Sequence, residues 1–170
     1  MEVHAHAHDG QSTTAYEEDA DQPTPAPRVR QVLHVEDDED LRWLCAEILE
    51  DAGFEVVGCS TVMAAKLAVG ARLPDVLLVD RDLPDGSGLE LVRWARSQPS
   101  CAGVHVIVFS ARRSREDVQS AITAGCDAFL GKPCAPDMLV ETVEAMVRPE
   151  PEPDAGTRRT GRRLKYVPSP

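Results

Sequence analysis

Short apolar runs alternate with longer amphipathic stretches from Val29 to Val147. Val76-Leu77-Leu78-Val79 is an unbroken aliphatic run, the pattern of a strand buried on both faces. Comparable strands are predicted at Val32-Leu33-His34-Val35, residues 54–59, residues 104–109 and Ala128-Phe129-Leu130-Gly131. Between the runs the period becomes helical. Residues 39–52 carry Leu41, Leu44, Cys45, Ile48 and Leu49 at helical spacing and stop at Gly53. Further helices are predicted over residues 61–70, 87–97 and 114–124, the last stopped by Gly125. A fifth starts after Pro136 and is expected to bury Leu139, Val143, Met146 and Val147. This alternation predicts an α/β fold: a doubly wound, five-stranded parallel sheet of order 2-1-3-4-5 with helices on both faces.

In such a sheet, ligands sit at the carboxyl ends of the strands. Four of the ends carry chemistry. Val79 gives way to Asp80-Arg81-Asp82 and a turn with Pro84 and Gly86. Val35 is followed by Glu36-Asp37-Asp38, Phe109 by Ser110, and Gly131 by Lys132 and Pro133. Adjacent acids repel one another, so acids sharing a site with Asp80 need a cation, and hard oxygen ligands suit Mg²⁺ or Mn²⁺. Each residue also has an ordinary use. An aspartate after a strand forms turns, residues 36–40 would serve as the acidic first turn of a helix, and Ser110 would serve as a helix cap. A loop lysine needs no further role. The coincidence of all four at one edge of the sheet favours a site.

In this combination the chain resembles the receiver domain of two-component response regulators, over roughly residues 30–148. The motifs that carry the resemblance are Glu36-Asp37, Asp80-x-x-Leu83-Pro84-x-x-x-Gly88, Ser110-Ala111 and Lys132-Pro133. The resemblance implies a flavodoxin-like fold with Asp80 as the phosphoacceptor. It implies Mg²⁺ (or Mn²⁺) held by Glu36, Asp37, Asp80 and the backbone carbonyl of Asp82, with Asp37 the more direct ligand of the acid pair. Ser110, Lys132 and Phe129 would bind the phosphate and carry the switch. Position 129 has Phe where Tyr is common, and Asp82 adds an acid at a position that often tunes the lifetime of the aspartyl phosphate.

The implied function is that of a stand-alone response regulator, phosphorylated by a histidine kinase or a histidine phosphotransfer protein. It would catalyse its own phosphorylation and slow dephosphorylation and turn over no separate substrate. It would signal to an unknown downstream protein through the face formed by the fourth helix, fifth strand and fifth helix. The alternative is a receiver-fold interaction adaptor that works without phosphate cycling; the intact acid pair, acceptor and lysine count against it. Asp80-Arg81-Asp82 also matches the Asp-x-Asp nucleophile of some phosphohydrolases, but those place it after the first strand of a larger chain. On a helical wheel Trp43 falls almost opposite Leu41, on the expected solvent face of the first helix. Exposed tryptophans favour binding surfaces, so Trp43 and Leu41 are the candidate docking residues for the phosphodonor.

Composition sets the bounds. The 170 residues suit one domain with tails: an acidic arm over 1–28 ending in Pro23, Pro25 and Pro27, the receiver-like domain over 29–148, and a Pro/Glu linker with a basic tail over 149–170. Both tails are expected to be disordered. Aromatic residues are 4%, so the core must be aliphatic. The five cysteines lack Cys-x-x-Cys spacing, as expected of reduced thiols in a cytoplasmic protein. No run of about 18 apolar residues predicts a membrane span, and no signal pattern opens the chain. The 22 C-terminal residues leave no room for a helix-turn-helix module, so no specific DNA binding is expected, only weak salt-dependent contact by the basic tail. A monomer or phosphorylation-dependent dimer is expected. His4, His6 and His8 are a weak metal-binding pattern, and His34 and His105 are expected as satisfied core residues.

Overall fold

The computed structural model describes residues 29–148 and 165–167. The acidic arm, with His4, His6 and His8, and most of the tail lie outside the described residues. Five parallel strands, β1 (Gln31–Val35), β2 (Glu55–Cys59), β3 (Val76–Val79), β4 (His105–Ser110) and β5 (Ala128–Gly131), alternate with five helices: α1 (Glu39–Asp51), α2 (Val62–Ala71), α3 (Gly88–Ser97), α4 (Arg115–Ala124) and α5 (Pro136–Val147). The strand order β2-β1-β3-β4-β5 is the expected one. A sixth short strand, β6 (Lys165–Val167), extends the sheet beyond β5, with Tyr166 opposite Phe129. The tail was expected to carry no strand; pairing to an otherwise open sheet edge supplies the backbone partners that an isolated tripeptide lacks.

Side chains point alternately to the two faces of the sheet. Leu33, Val35, Leu77 and Val79 meet α2, α3 and α4 through Ala65, Leu91, Val92 and Ala121. Val32, Val76 and Leu78 meet α1 and α5 through Cys45, Leu49, Leu139 and Val143. All four side chains of β3 are fully buried, which contributes about 1.5–3 kcal/mol each. This is why β3 reads as continuous apolar sequence while the helices read as stripes. Helix starts are set by capping: Asp38, Thr61, Ser87 and Ser114 each accept a backbone N–H of the first turn. Thr61, Ser87 and Ser114 therefore lie just outside the helices they were expected to open, and Ser110 belongs to β4.

The cysteines are all free thiols. No helix among the described residues is long and apolar enough to cross a membrane. His34 is fully buried, as expected, but not satisfied: among the described residues neither ring nitrogen has a well-formed hydrogen bond. Burial, then the charges of Lys132 and Arg42, lower its pKa to about 4, against a weak opposing contact with the Arg42 backbone. His105 is no core residue; its ring is over one-third exposed, with Nδ1 3.9 Å from Asp127.

Candidate functional site

Backbone links continue past the strands and tie their carboxyl ends together. Asp80 N–H donates to Val35 O (2.8 Å), Glu36 N–H to Cys59 O (2.9 Å), and Lys132 N–H to Ser110 O (2.9 Å). Residues far apart in sequence thus meet at one edge. Glu36, Asp37 and Asp80 each place a carboxylate oxygen within 4.8 Å of the others. Glu36 is 2% exposed and Asp80 8%, while Asp37 is open to solvent.

Lys132 ties the cluster together. Its Nζ pairs with the Glu36 carboxylate and lies 3.1 Å from Asp80 Oδ1, over the Phe109 ring at 5.1 Å. Burial pushes the Glu36 carboxyl above its ordinary pKa, and Lys132 acts against that shift. One ammonium against three carboxylates leaves net negative charge in a largely buried place. The donors are all hard oxygens, so the residues present fit a divalent cation of the Mg²⁺ kind. The Asp82 carboxylate is not in this cluster; it accepts from Arg112 Nε at 2.9 Å.

Gly88 shows why the loop after β3 has its sequence. A Cβ there would stand 1.8 Å from the Asp80 carbonyl oxygen, so only glycine lets the start of α3 pack on Asp80. Asp85, in the same loop, accepts from the N–H groups of Val62 and Met63 (2.8 and 2.9 Å) and ties the loop to α2.

Ser110 does not cap α4; Ser114 does. The Ser110 Oγ is fully buried and accepts from Arg112 N–H at 3.1 Å. Phe129 is buried at the same end of the sheet. Trp43 is 64% exposed, as its place on the helical wheel requires. Leu44, expected in the apolar stripe, is half exposed. It lies with Leu41, Cys45, Phe109 and Lys132 along an open apolar groove of about 460 Å³ between α1 and the start of α5. Sequence reasoning missed Arg42, whose Nη1 donates to the carbonyls of Glu36 (2.6 Å) and Asp37 (3.3 Å). It also missed Arg81, which pairs with Asp117. An arginine in a helix carries no pattern that names its carbonyl partners.

The model of the response regulator receiver domain matches residues 32–144. The chain belongs to this family. The receiver domain is 30% identical over 119 residues to the phosphate regulon transcriptional regulatory protein PhoB of Klebsiella pneumoniae, covering 70% of this chain and 52% of that protein. It is 38% identical over 102 residues to the KDP operon transcriptional regulatory protein KdpE of Escherichia coli, covering 60% and 44%. The chain thus spans about half the length of the curated relatives it matches. Among solved structures, the chemotaxis response regulator CheY4 of Vibrio cholerae superposes with a TM-score of 0.67 at 26% identity, covering 71% of this chain and all of that one. A CheY-like receiver domain protein of Methanospirillum hungatei gives 0.64 at 28%, covering 69% and 93%.

Proposed function

We propose that this receiver domain accepts a phosphoryl group on Asp80 from a histidine kinase or a histidine phosphotransfer protein and signals through altered protein contacts. The observation that carries the reading is the Lys132 ammonium held between Glu36 and Asp80 at the edge where the acids converge. An aspartate oxygen would attack phosphorus while the donor's imidazole nitrogen leaves with the electron pair of the broken N–P bond. Both reactants are anionic, so the work lies in positioning and in charge neutralisation. Lys132, 3.1 Å from Asp80 Oδ1, would meet a phosphoryl oxygen without moving far. Glu36, Asp37 and Asp80, with the backbone carbonyl of Asp82, would hold a divalent cation, which when bound neutralises the same oxygens. The Ser110 hydroxyl uses its oxygen as an acceptor and keeps its proton for a new phosphoryl oxygen. Movement of Ser110 and the neighbouring Phe129 would then shift populations at the face formed by α4, β5 and α5.

The test is uptake of beryllofluoride, or of phosphate from a small acyl phosphate, in the presence of Mg²⁺. Asp80→Asn is expected to abolish uptake with the fold intact. Ser110→Ala is expected to accept the phosphate but not to pass the change to α4. Normal uptake by Asp80→Asn overturns the assignment, and no uptake by the wild type points to the adaptor reading.

A further inference from the structure

Two crossed arginine–aspartate pairs join the loop after β3 to the first turn of α4 and the loop before it. Arg81, next to Asp80, lies 2.6 Å from Asp117, and Arg112, two residues after Ser110, lies 2.9 Å from Asp82. The pairs are not equivalent. The side chains of Arg112 and Asp82 are 59% and 58% exposed, and pairs so solvated contribute little. Those of Arg81 and Asp117 are 20% and 19% exposed, so water and salt screen them less.

Each end of the partly buried pair is anchored. The Arg81 carbonyl accepts from Gly88 N–H at 2.7 Å, which fixes it to the start of α3. Asp117 closes the capping box of α4. Its Oδ2 accepts from Ser114 N–H (3.3 Å) and Ser114 Oγ–H (2.6 Å), while its own N–H donates to Ser114 Oγ (3.1 Å). The bond from Ser114, and after it the charge of Arg81, hold the Asp117 carboxyl below its ordinary pKa. Ser114 lies four residues beyond Ser110, so a displacement of Ser110 reaches Asp117 through a short loop and a closed box.

We propose that the Arg81–Asp117 pair is a clamp that holds the first turn of α4 against the acceptor loop in the unphosphorylated state and opposes the rearrangement that a phosphoryl group on Asp80 drives. This rests on the reading of Asp80 as phosphoacceptor. Arg81 and Asp117 are positioning residues and take no part in phosphoryl transfer. If residues 111–114 are drawn along with Ser110, Ser114 carries the Asp117 bonded to it away from Arg81, whose backbone is tied to Gly88, and the pair parts. A contact present in one of two arrangements lowers the population of the other, and by linkage it weakens any ligand that selects the other.

The probe is beryllofluoride with Mg²⁺, titrated into the full chain. Asp117→Asn keeps the box, because an amide oxygen still accepts from Ser114, but loses the charge. It is expected to bind the mimic at least about threefold more tightly than wild type, with faster amide exchange over residues 115–121 before the mimic is added. Arg81→Gln should reproduce the faster exchange. Asp117→Glu keeps the charge, suits a capping box, and should return the affinity to within about twofold of wild type. Equal or weaker binding by Asp117→Asn with thermal unfolding unchanged, or unchanged exchange in Arg81→Gln, overturns the clamp. A wild type that binds no mimic overturns the phosphoacceptor reading instead.

Discussion

The Nζ of Lys132 lies 3.1 Å from the Asp80 carboxylate while pairing with the buried Glu36, so one ammonium serves two acids contributed by different strands. Lys132→Met should therefore cost about 3 kcal/mol of stability at neutral pH, since it strands Glu36 without its partner. The loss should shrink on acidification, because the Glu36 carboxyl, already raised by burial, neutralises itself by taking a proton. Added Mg²⁺ should restore part of the loss. Denaturant unfolding at several pH values, with and without the ion, measures all three effects; a loss independent of pH contradicts the pairing.

Asp37→Ala should weaken Mg²⁺ binding more than Glu36→Ala, because Asp37 is solvent-facing and not committed to Lys132. Glu36 must be ionised to help hold the ion, and its pKa is raised, so affinity should begin to fall at a higher pH than an ordinary glutamate would dictate. Fluorescence titration with Mg²⁺ across pH checks both statements. Equal affinity in wild type and both variants contradicts a metal site at this edge.

His34 should make stability pH-dependent. Its folded pKa is about 4 against 6.5 for the free side chain, so between those values the unfolded chain binds a proton that the folded chain refuses. Stability is then lost as pH falls through that window, by about 1.4 kcal/mol per pH unit from this residue. Glu36 acts in the opposite sense, since its folded pKa is raised. His34→Leu should flatten the dependence between pH 6.5 and 5 and relieve the unbonded ring nitrogens. An unaltered slope in the variant would show that His34 is not its source.

Trp43 should matter for the protein donor and not for the chemistry. It stands exposed on α1, the helix that follows the acid pair. Trp43→Ala is expected to slow phosphotransfer from the cognate partner at least about tenfold, a loss of roughly 1.4 kcal/mol. Phosphorylation by a small donor should be unchanged. If both rates fall together, or neither does, the docking role is wrong.

The strand ends were legible because each joins a local apolar run to a polar residue. Asp80 after Val79 and Lys132 after Gly131 needed no tertiary information to be singled out. The side-chain pairings were not legible. Nothing in the spacing of Arg81 and Asp117, 36 residues apart, marks them as partners. Ser110 and Ser114 are both plausible caps by residue type, and only the placement of the α4 backbone chooses Ser114. Leu44 fits the apolar stripe by angle yet is left half exposed beside an open groove, because no element among the described residues covers that part of α1.

By itself the sequence determined the strand and helix succession, the parallel sheet and the set of residues at its carboxyl edge. Those follow from local periodicity and from connection rules that act along the chain. Tertiary structure alone decided which charges meet. It gave Glu36 to Lys132, Asp82 to Arg112 and Asp117 to Arg81, buried His34 with no well-formed hydrogen bond to its ring among the described residues, and laid Lys165–Val167 along β5. The reason is physical: burial and periodicity are properties of neighbours in sequence, whereas an ion pair depends on where two flexible side chains end up in space.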